Sequence, residues 1–311
     1  MKTIAFLFPG QGSQSVGMGK DVFEEYDFVR ERFHIAETIT GLPISTLCFD
    51  GPMAALTETV NLQPAVTTVN LAFLDVLKRE GVIPHVSAGH SLGEFSALCA
   101  AGIVSEEDTL RMVFRRGELM HREATRHQGA MSAVIGLSID AVRDLVAQVT
   151  DEIVAVANHN AEKQIVITGS PDAVKKVSAL ATAQGGKAIP LKVSGAWHSR
   201  LIQGAEAEFR GFLDTVVFHP PKSPVIHNVT ANRMTDPDRI RDLMVAQLCS
   251  PVRWYDSVLR LMAENVAIFV EIGPGNVLTG LIKKILPKDY PCEIYNVNDM
   301  KGLETFLRAA G

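Results

Sequence analysis

The hydrophobic pattern begins with a short apolar run, Ile4-Ala5-Phe6-Leu7-Phe8, cut at once by Pro9-Gly10. An uninterrupted apolar stretch of this length between turn formers reads as a buried strand. It is too short for a signal-peptide core and far too short to span a bilayer. The glycine-rich loop Gly10-Gln11-Gly12-Ser13-Gln14 follows. Helical patterns then run through residues 21–38 and 63–80. Residues 85–88 read as a short strand, 89–93 as a tight turn, and 92–101 as an apolar helix stopped by Gly102. Near the other end, residues 269–272 form a strand before Gly273-Pro274-Gly275 and a helix from Val277. Strands alternating with helices predict an α/β fold with a central parallel sheet covered on both faces.

The middle of the chain changes character. Residues 130–137 read as a strand and 139–149 as a helix. Two strands, 153–157 and 164–168, flank an Asn-rich turn, and a helix at 171–184 leads to a last strand at 187–193. The order β-α-β-β-α-β predicts a ferredoxin-like arrangement. It covers residues 128–194, a small domain inserted in a larger unit made of 1–127 and 195–311.

Composition narrows the class of protein. With 311 residues, 47% apolar and 21% charged, the chain can bury a large core and a small insert. A net charge of −5 argues against nucleic-acid binding, which needs a basic surface. Cys48, Cys99, Cys249 and Cys292 are scattered, with no spacing suited to zinc, and read as free thiols in a reducing compartment. A soluble cytoplasmic protein with no metal and no membrane contact is expected.

The candidate chemistry starts at Gly89-His90-Ser91-Leu92-Gly93, which fits G-x-S-x-G between a strand and a helix. The serine hydroxyl would project from a sharp bend, with free N–H groups of the following helix facing a developing oxyanion. Serine needs a base. His90 adjoins Ser91, but consecutive residues in such a turn point different ways. His198, in Gly195-Ala196-Trp197-His198-Ser199 at the junction of the two expected domains, is the better candidate.

Ser105 and the acidic residues after it predict a helix start. At ~100° per residue, Leu110, Met112, Val113, Gly117 and Met120 share one apolar arc, while Arg111, Arg115, Glu118 and Arg122 lie opposite. Arg116 falls inside the apolar arc. A buried guanidinium needs an anion, either a carboxylate of the protein or one on a ligand, and spacing alone favours the first.

Together these segments resemble the malonyl-CoA:acyl carrier protein transacylase family, over essentially the whole chain. The landmarks are Gly10-Gln11-Gly12-Ser13-Gln14, Gly89 to Glu94, Arg116-Gly117, Asn158-His159-Asn160, Gly195 to Ser199, Gln247 before Ser250-Pro251-Val252, and Glu271 to Gly275. The resemblance implies a hydrolase-like core for the larger unit, with Ser91 as nucleophile, His198 as base, and Gln247 orienting that histidine through its main-chain carbonyl. It implies Gln11 and the Leu92 N–H as oxyanion hole and Arg116 as holder of the malonyl carboxylate, with Asn160 and His90 lining the site. The implied reaction is ping-pong transfer from malonyl-CoA, a coenzyme A thioester, to the phosphopantetheine of an acyl carrier protein, for fatty-acid or polyketide synthesis. No bound cofactor is implied.

Trp197 departs from the commoner Phe or Ser before the histidine. It either narrows the acyl pocket against branched groups or simply packs the domain seam. Arg115, Arg122, Arg126 and Arg200 are candidate cations for docking an acidic carrier. A serine hydrolase and a non-catalytic docking scaffold are the competing readings. The first has no need of Arg116, and the second needs none of Ser91, His198, Gln11 and Arg116.

Overall fold

The computed structural model describes residues 2–193 and 195–310. The strands among the described residues are β1 (Ile4–Phe8), β2 (Val86–Gly89), β3 (Ala130–Ile135), β4 (Val154–Ala161), β5 (Gln164–Gly169), β6 (Lys187–Pro190), β7 (Val225–Ile226), β8 (Ile268–Ile272) and β9 (Glu293–Val297). Five of them form a parallel sheet in the order β7-β2-β1-β8-β9. In register, Phe8 sits opposite Gly89 and Ala5 opposite Phe269.

The continuous apolar run of β1 follows from its place at the centre of this sheet. Phe6 and Phe8 point into one core with Val66, Phe73 and Phe95. Ala5 and Leu7 point into the other with Trp254, Phe269 and Leu281. A strand buried on both faces has no polar alternation to show. The α/β arrangement read from the sequence holds.

The other four strands form an antiparallel sheet, β4-β5-β3-β6. The helices Ile139–Ala147 and Pro171–Ala183 bury Val142, Leu145, Val174 and Val177 with Val134, Ile165 and Ile167 of the sheet. Ser138 and Ser170 cap these helices through their side chains.

Several boundaries differ from expectation for local reasons. Residues 21–38 are not one helix. Tyr26 takes an extended conformation (φ −118°, ψ 122°) and divides Lys20–Glu25 from Asp27–Thr40. The next long helix runs Thr59–Arg79 and starts ahead of Pro64, which lies inside it and gives up one backbone hydrogen bond. The Asn-rich segment is not a turn. Asn158, His159 and Asn160 continue β4 across two register shifts, and the bend falls after Ala161. The cause is tertiary: Val252 pairs alongside, accepting from the His159 N–H at 2.9 Å and donating to the Ala157 carbonyl at 2.8 Å. The last strand stops at Pro190, short of residue 193.

Among the described residues no helix is long and apolar enough to cross a membrane, and no group of His, Cys, Asp or Glu could hold a metal ion.

Candidate active site

β2 ends at Gly89, and the helix Gly93–Ala100 begins four residues later. The connection is too tight for ordinary side chains. A Cβ on Gly93 would lie 1.9 Å from the Phe8 carbonyl oxygen of the neighbouring strand. Ser91, at the bend, has φ 51°, a left-handed conformation that costs a non-glycine residue of the order of 1 kcal/mol. Its N–H donates to Asn228 Oδ1 at 2.7 Å, and Asn228 Nδ2 donates to the Gly89 carbonyl at 2.6 Å. Asn228 therefore straps both sides of the bend.

Ser91 Oγ lies 2.8 Å from His198 Nε2, and His198 Nδ1 lies 2.9 Å from the main-chain carbonyl of Gln247. A carbonyl only accepts, so Nδ1 carries the proton and Nε2 is free to accept from the serine hydroxyl. Burial, followed by the nearby Arg116 cation, pushes His198 down to about 3, so the imidazole is neutral at physiological pH. His198 also has a positive φ, 61°. Both partners of the dyad are thus held in backbone conformations that the surrounding structure must impose.

Arg116 is only 1% exposed. It projects from the helix Glu106–Arg126, which Ser105 caps as its sequence predicts. Its NH1 donates to Gln63 Oε1 (3.1 Å), and its NH2 donates to Gln247 Oε1 (3.1 Å) and Ser91 Oγ (3.3 Å). Nε has no partner. No carboxylate among the described residues pairs with it, so the protein carboxylate that spacing alone favoured is not the answer. Burial lowers the guanidinium to about 10, and the charge of Glu94 opposes that drop. It therefore remains a cation, held by neutral amides, 3.3 Å from the serine oxygen.

Ser91, Arg116 and His198 face a cavity of about 100 Å³ walled by Met120, Met131, Leu191, Val193 and Trp197. Gln11 and Leu92 line it as well, and neither backbone N–H has an acceptor among the described residues. Two free N–H groups beside the serine can receive a developing oxyanion. His90 lines the cavity too, with its ring held by Asn160. Its Nε2 meets Asn160 Oδ1 at 2.8 Å, and burial lowers its pKa. A second cavity of about 410 Å³ shares Gln11, His90, Asn158 and Leu191 with the first, and continues to Asn160, Gln164, Asn276 and Lys284.

The structure adds residues that sequence reading missed. Gln63, Glu94 and Asn228 touch the reacting groups or their supports, and His227 Nδ1 meets Glu94 Oε1 at 2.9 Å. Glu94 stands at the end of the Gly89–Glu94 landmark but carried no assigned role. Nothing local marks the other three. The candidate docking cations divide. Arg115 and Arg122 pair with Glu208, and Arg122 and Arg126 with Glu123. Arg200 has no ion pair among the described residues.

The acyl transferase domain family matches residues 5–305. The malonyl CoA-acyl carrier protein transacylase of Bacillus subtilis (strain 168) is 43% identical over 288 residues, 92% of this chain and 91% of that protein. The crystal structure of an acyl carrier protein S-malonyltransferase from Vibrio cholerae superposes with TM-score 0.93 at 39% identity, covering 98% of this chain and 99% of that one. A malonyl-transacylase solved in complex with a type II polyketide synthase acyl-carrier protein gives TM-score 0.94 at 35% identity over 99% of both chains. Sequence and fold agree over more than nine-tenths of the chain, which belongs to the malonyl-CoA:acyl carrier protein transacylase family of acyl transferase domains.

Proposed function

We propose that this protein transfers a malonyl group from malonyl-CoA to the phosphopantetheine thiol of an acyl carrier protein, through a malonyl-serine intermediate. The observation that carries the reading is the buried Arg116 cation, with no carboxylate paired to it among the described residues, 3.3 Å from the Ser91 hydroxyl. A guanidinium in that position suits an acyl group that ends in a carboxylate.

Ser91 Oγ attacks the thioester carbonyl as His198 Nε2 takes its proton. The tetrahedral oxyanion is received by the N–H groups of Gln11 and Leu92. Collapse expels coenzyme A as its thiolate, which takes the proton from His198. The carrier's phosphopantetheine thiol then enters, gives its proton to His198, and its sulfur attacks the malonyl-serine carbonyl. Collapse of this second oxyanion releases Ser91, which recovers the proton. Gln247 holds the imidazole in the required tautomer through its main-chain carbonyl, the task an aspartate performs in other serine enzymes. The small cavity around Ser91 and Arg116 fixes the acyl chain and limits water, which protects the ester until the carrier arrives.

The wider cavity beyond Gln11 and His90 suits a long polar arm, with Asn160 and His90 lining it. Trp197 in the wall of the smaller one favours malonyl over methylmalonyl. Residues 128–194 act as an inserted ferredoxin-like domain on a hydrolase-like body of 1–127 and 195–311, and the strand order β6-β3-β5-β4 supports that assignment. The protein works in the cytoplasm, in fatty-acid or polyketide synthesis.

The test is a transfer assay with malonyl-CoA and carrier bearing phosphopantetheine. Malonyl-carrier should form, with little free malonate when the carrier is omitted. Rapid malonate release that does not depend on carrier would make the protein a hydrolase.

A further inference from the structure

Gln247 serves two reacting groups at once. Its main-chain carbonyl accepts from His198, and its side-chain Oε1 accepts from Arg116 at 3.1 Å. Its Nε2 donates to the Ser91 carbonyl at 3.0 Å and to Glu94 Oε2 at 2.6 Å. The two acceptors around Nε2 fix which way the amide faces. Flipped, its oxygen would meet two oxygens and its NH2 would meet a cation. Glu94 is buried and anchored, accepting from His227 Nδ1 at 2.9 Å and from the Asn228 N–H at 3.3 Å. The mechanism above gives this carboxylate no task.

We propose that Glu94 is a positioning residue for the carboxylate clamp: through the side-chain amide of Gln247, and by its own charge, it holds the Arg116 guanidinium in place beside Ser91 before an acyl group arrives. The inference rests on Arg116 being the malonyl clamp. Its physical need is plain. A buried guanidinium without a paired anion is costly, and an anion in direct contact would block the substrate's carboxylate. Setting the anion one amide away meets both demands. Glu94 is the carboxylate whose charge supports the Arg116 cation against burial. The groups that touch the guanidinium are Gln63, Ser91, the Phe95 ring and Gln247, and the ionisable groups that act on it by charge are Glu94 and His198. His227 is the titratable partner of Glu94 itself.

The experiment compares kcat/KM for malonyl-CoA and acetyl-CoA in the wild type, Glu94→Gln, Gln247→Met and Arg116→Ala, from about pH 6 to about pH 10.5. Glu94→Gln keeps the size and removes the charge. The alkaline limb for malonyl-CoA should move down by about one pH unit or more, because the cation is the binding form and loses its support. The acetyl-CoA profile should show no such shift. Gln247→Met keeps the carbonyl that orients His198 and removes the amide. The malonyl-to-acetyl ratio should fall about tenfold, with the malonyl loss mainly in KM. This variant also carries the test if Glu94→Gln does not fold. An alkaline limb left at its wild-type position in Glu94→Gln, or malonyl and acetyl loading that fall in parallel in Gln247→Met, overturns the proposal. If Arg116→Ala itself leaves the ratio unchanged, the clamp reading fails. If only Arg116→Ala lowers it, the clamp stands and the role of Glu94 falls.

Discussion

His198 Nδ1 lies 2.9 Å from the main-chain carbonyl of Gln247, so a backbone atom does the orienting that a carboxylate would otherwise do. A neutral carbonyl fixes the tautomer but adds no negative charge to stabilise an imidazolium. Burial, and after it the nearby Arg116 cation, pushes His198 down to about 3.

This has two consequences in pH. Malonyl loading should persist well below the ordinary histidine range, since neutral His198 is the working form. A profile of loading rate that collapses near pH 6.5, the value of free histidine, would contradict it. Stability should move as well. The unfolded chain takes up a proton on this histidine near 6.5, whereas the folded one does not until about 3. The fold is therefore favoured above that window and loses stability as pH falls through it. Denaturation of His198→Gln should show a shallower acid loss than the wild type between about pH 6 and about pH 4.

The elbow should tolerate no side chain at Gly93. Gly93→Ala sets a Cβ 1.9 Å from the Phe8 carbonyl oxygen, backbone that cannot step aside without disturbing the central strand. A loss of several kcal/mol is expected. Gly211, in the helix Glu206–Leu213, meets nothing within 4 Å and has no positive φ. Gly211→Ala should be neutral or stabilising, by up to about 1 kcal/mol. Thermal denaturation of the pair separates steric demand at the elbow from general sensitivity to alanine.

Trp197 is buried and walls the cavity of about 100 Å³ that holds Ser91 and Arg116. Replacing it with Phe should raise kcat/KM for methylmalonyl-CoA relative to malonyl-CoA by about tenfold, the discrimination expected of one extra methyl group in a tight pocket. Equal ratios in wild type and variant would leave the ring with a packing role only.

Carrier docking should depend on Arg200 more than on the arginines of the Arg116 helix. Arg115 and Arg122 already share Glu208, whereas Arg200 follows the catalytic histidine segment without an ion pair among the described residues. Arg200→Glu should raise KM for the carrier about tenfold at low salt and leave formation of the malonyl-enzyme largely intact. An unchanged KM would move the docking surface elsewhere.

What the sequence made legible follows from which forces are local. The strand β1 was readable because burial on both faces leaves an unbroken apolar run. The placement of Arg116 was readable because helical periodicity sets it between Met112 and Met120. Its partners were not, since Gln63 and Gln247 come from distant parts of the chain and no periodicity links them. Asn158-His159-Asn160 looked like a turn because polar residues there have no local reason to extend. The pairing with Val252, about ninety residues on, supplies that reason. Tyr26 breaks a helix with no proline or glycine to announce it. Gly89 to Gly93 was readable in detail, because a bend that tight restricts residue type at each position.

The central claim is a malonyl ester on Ser91 gripped by Arg116. Intact-protein mass spectrometry after a brief mix with malonyl-CoA tests it most directly, in the wild type, Ser91→Ala and Arg116→Ala. The account predicts a malonyl-sized increment in the wild type, none in Ser91→Ala, and a much reduced one in Arg116→Ala. An increment that survives Ser91→Ala, or one of undiminished size in Arg116→Ala, would contradict it.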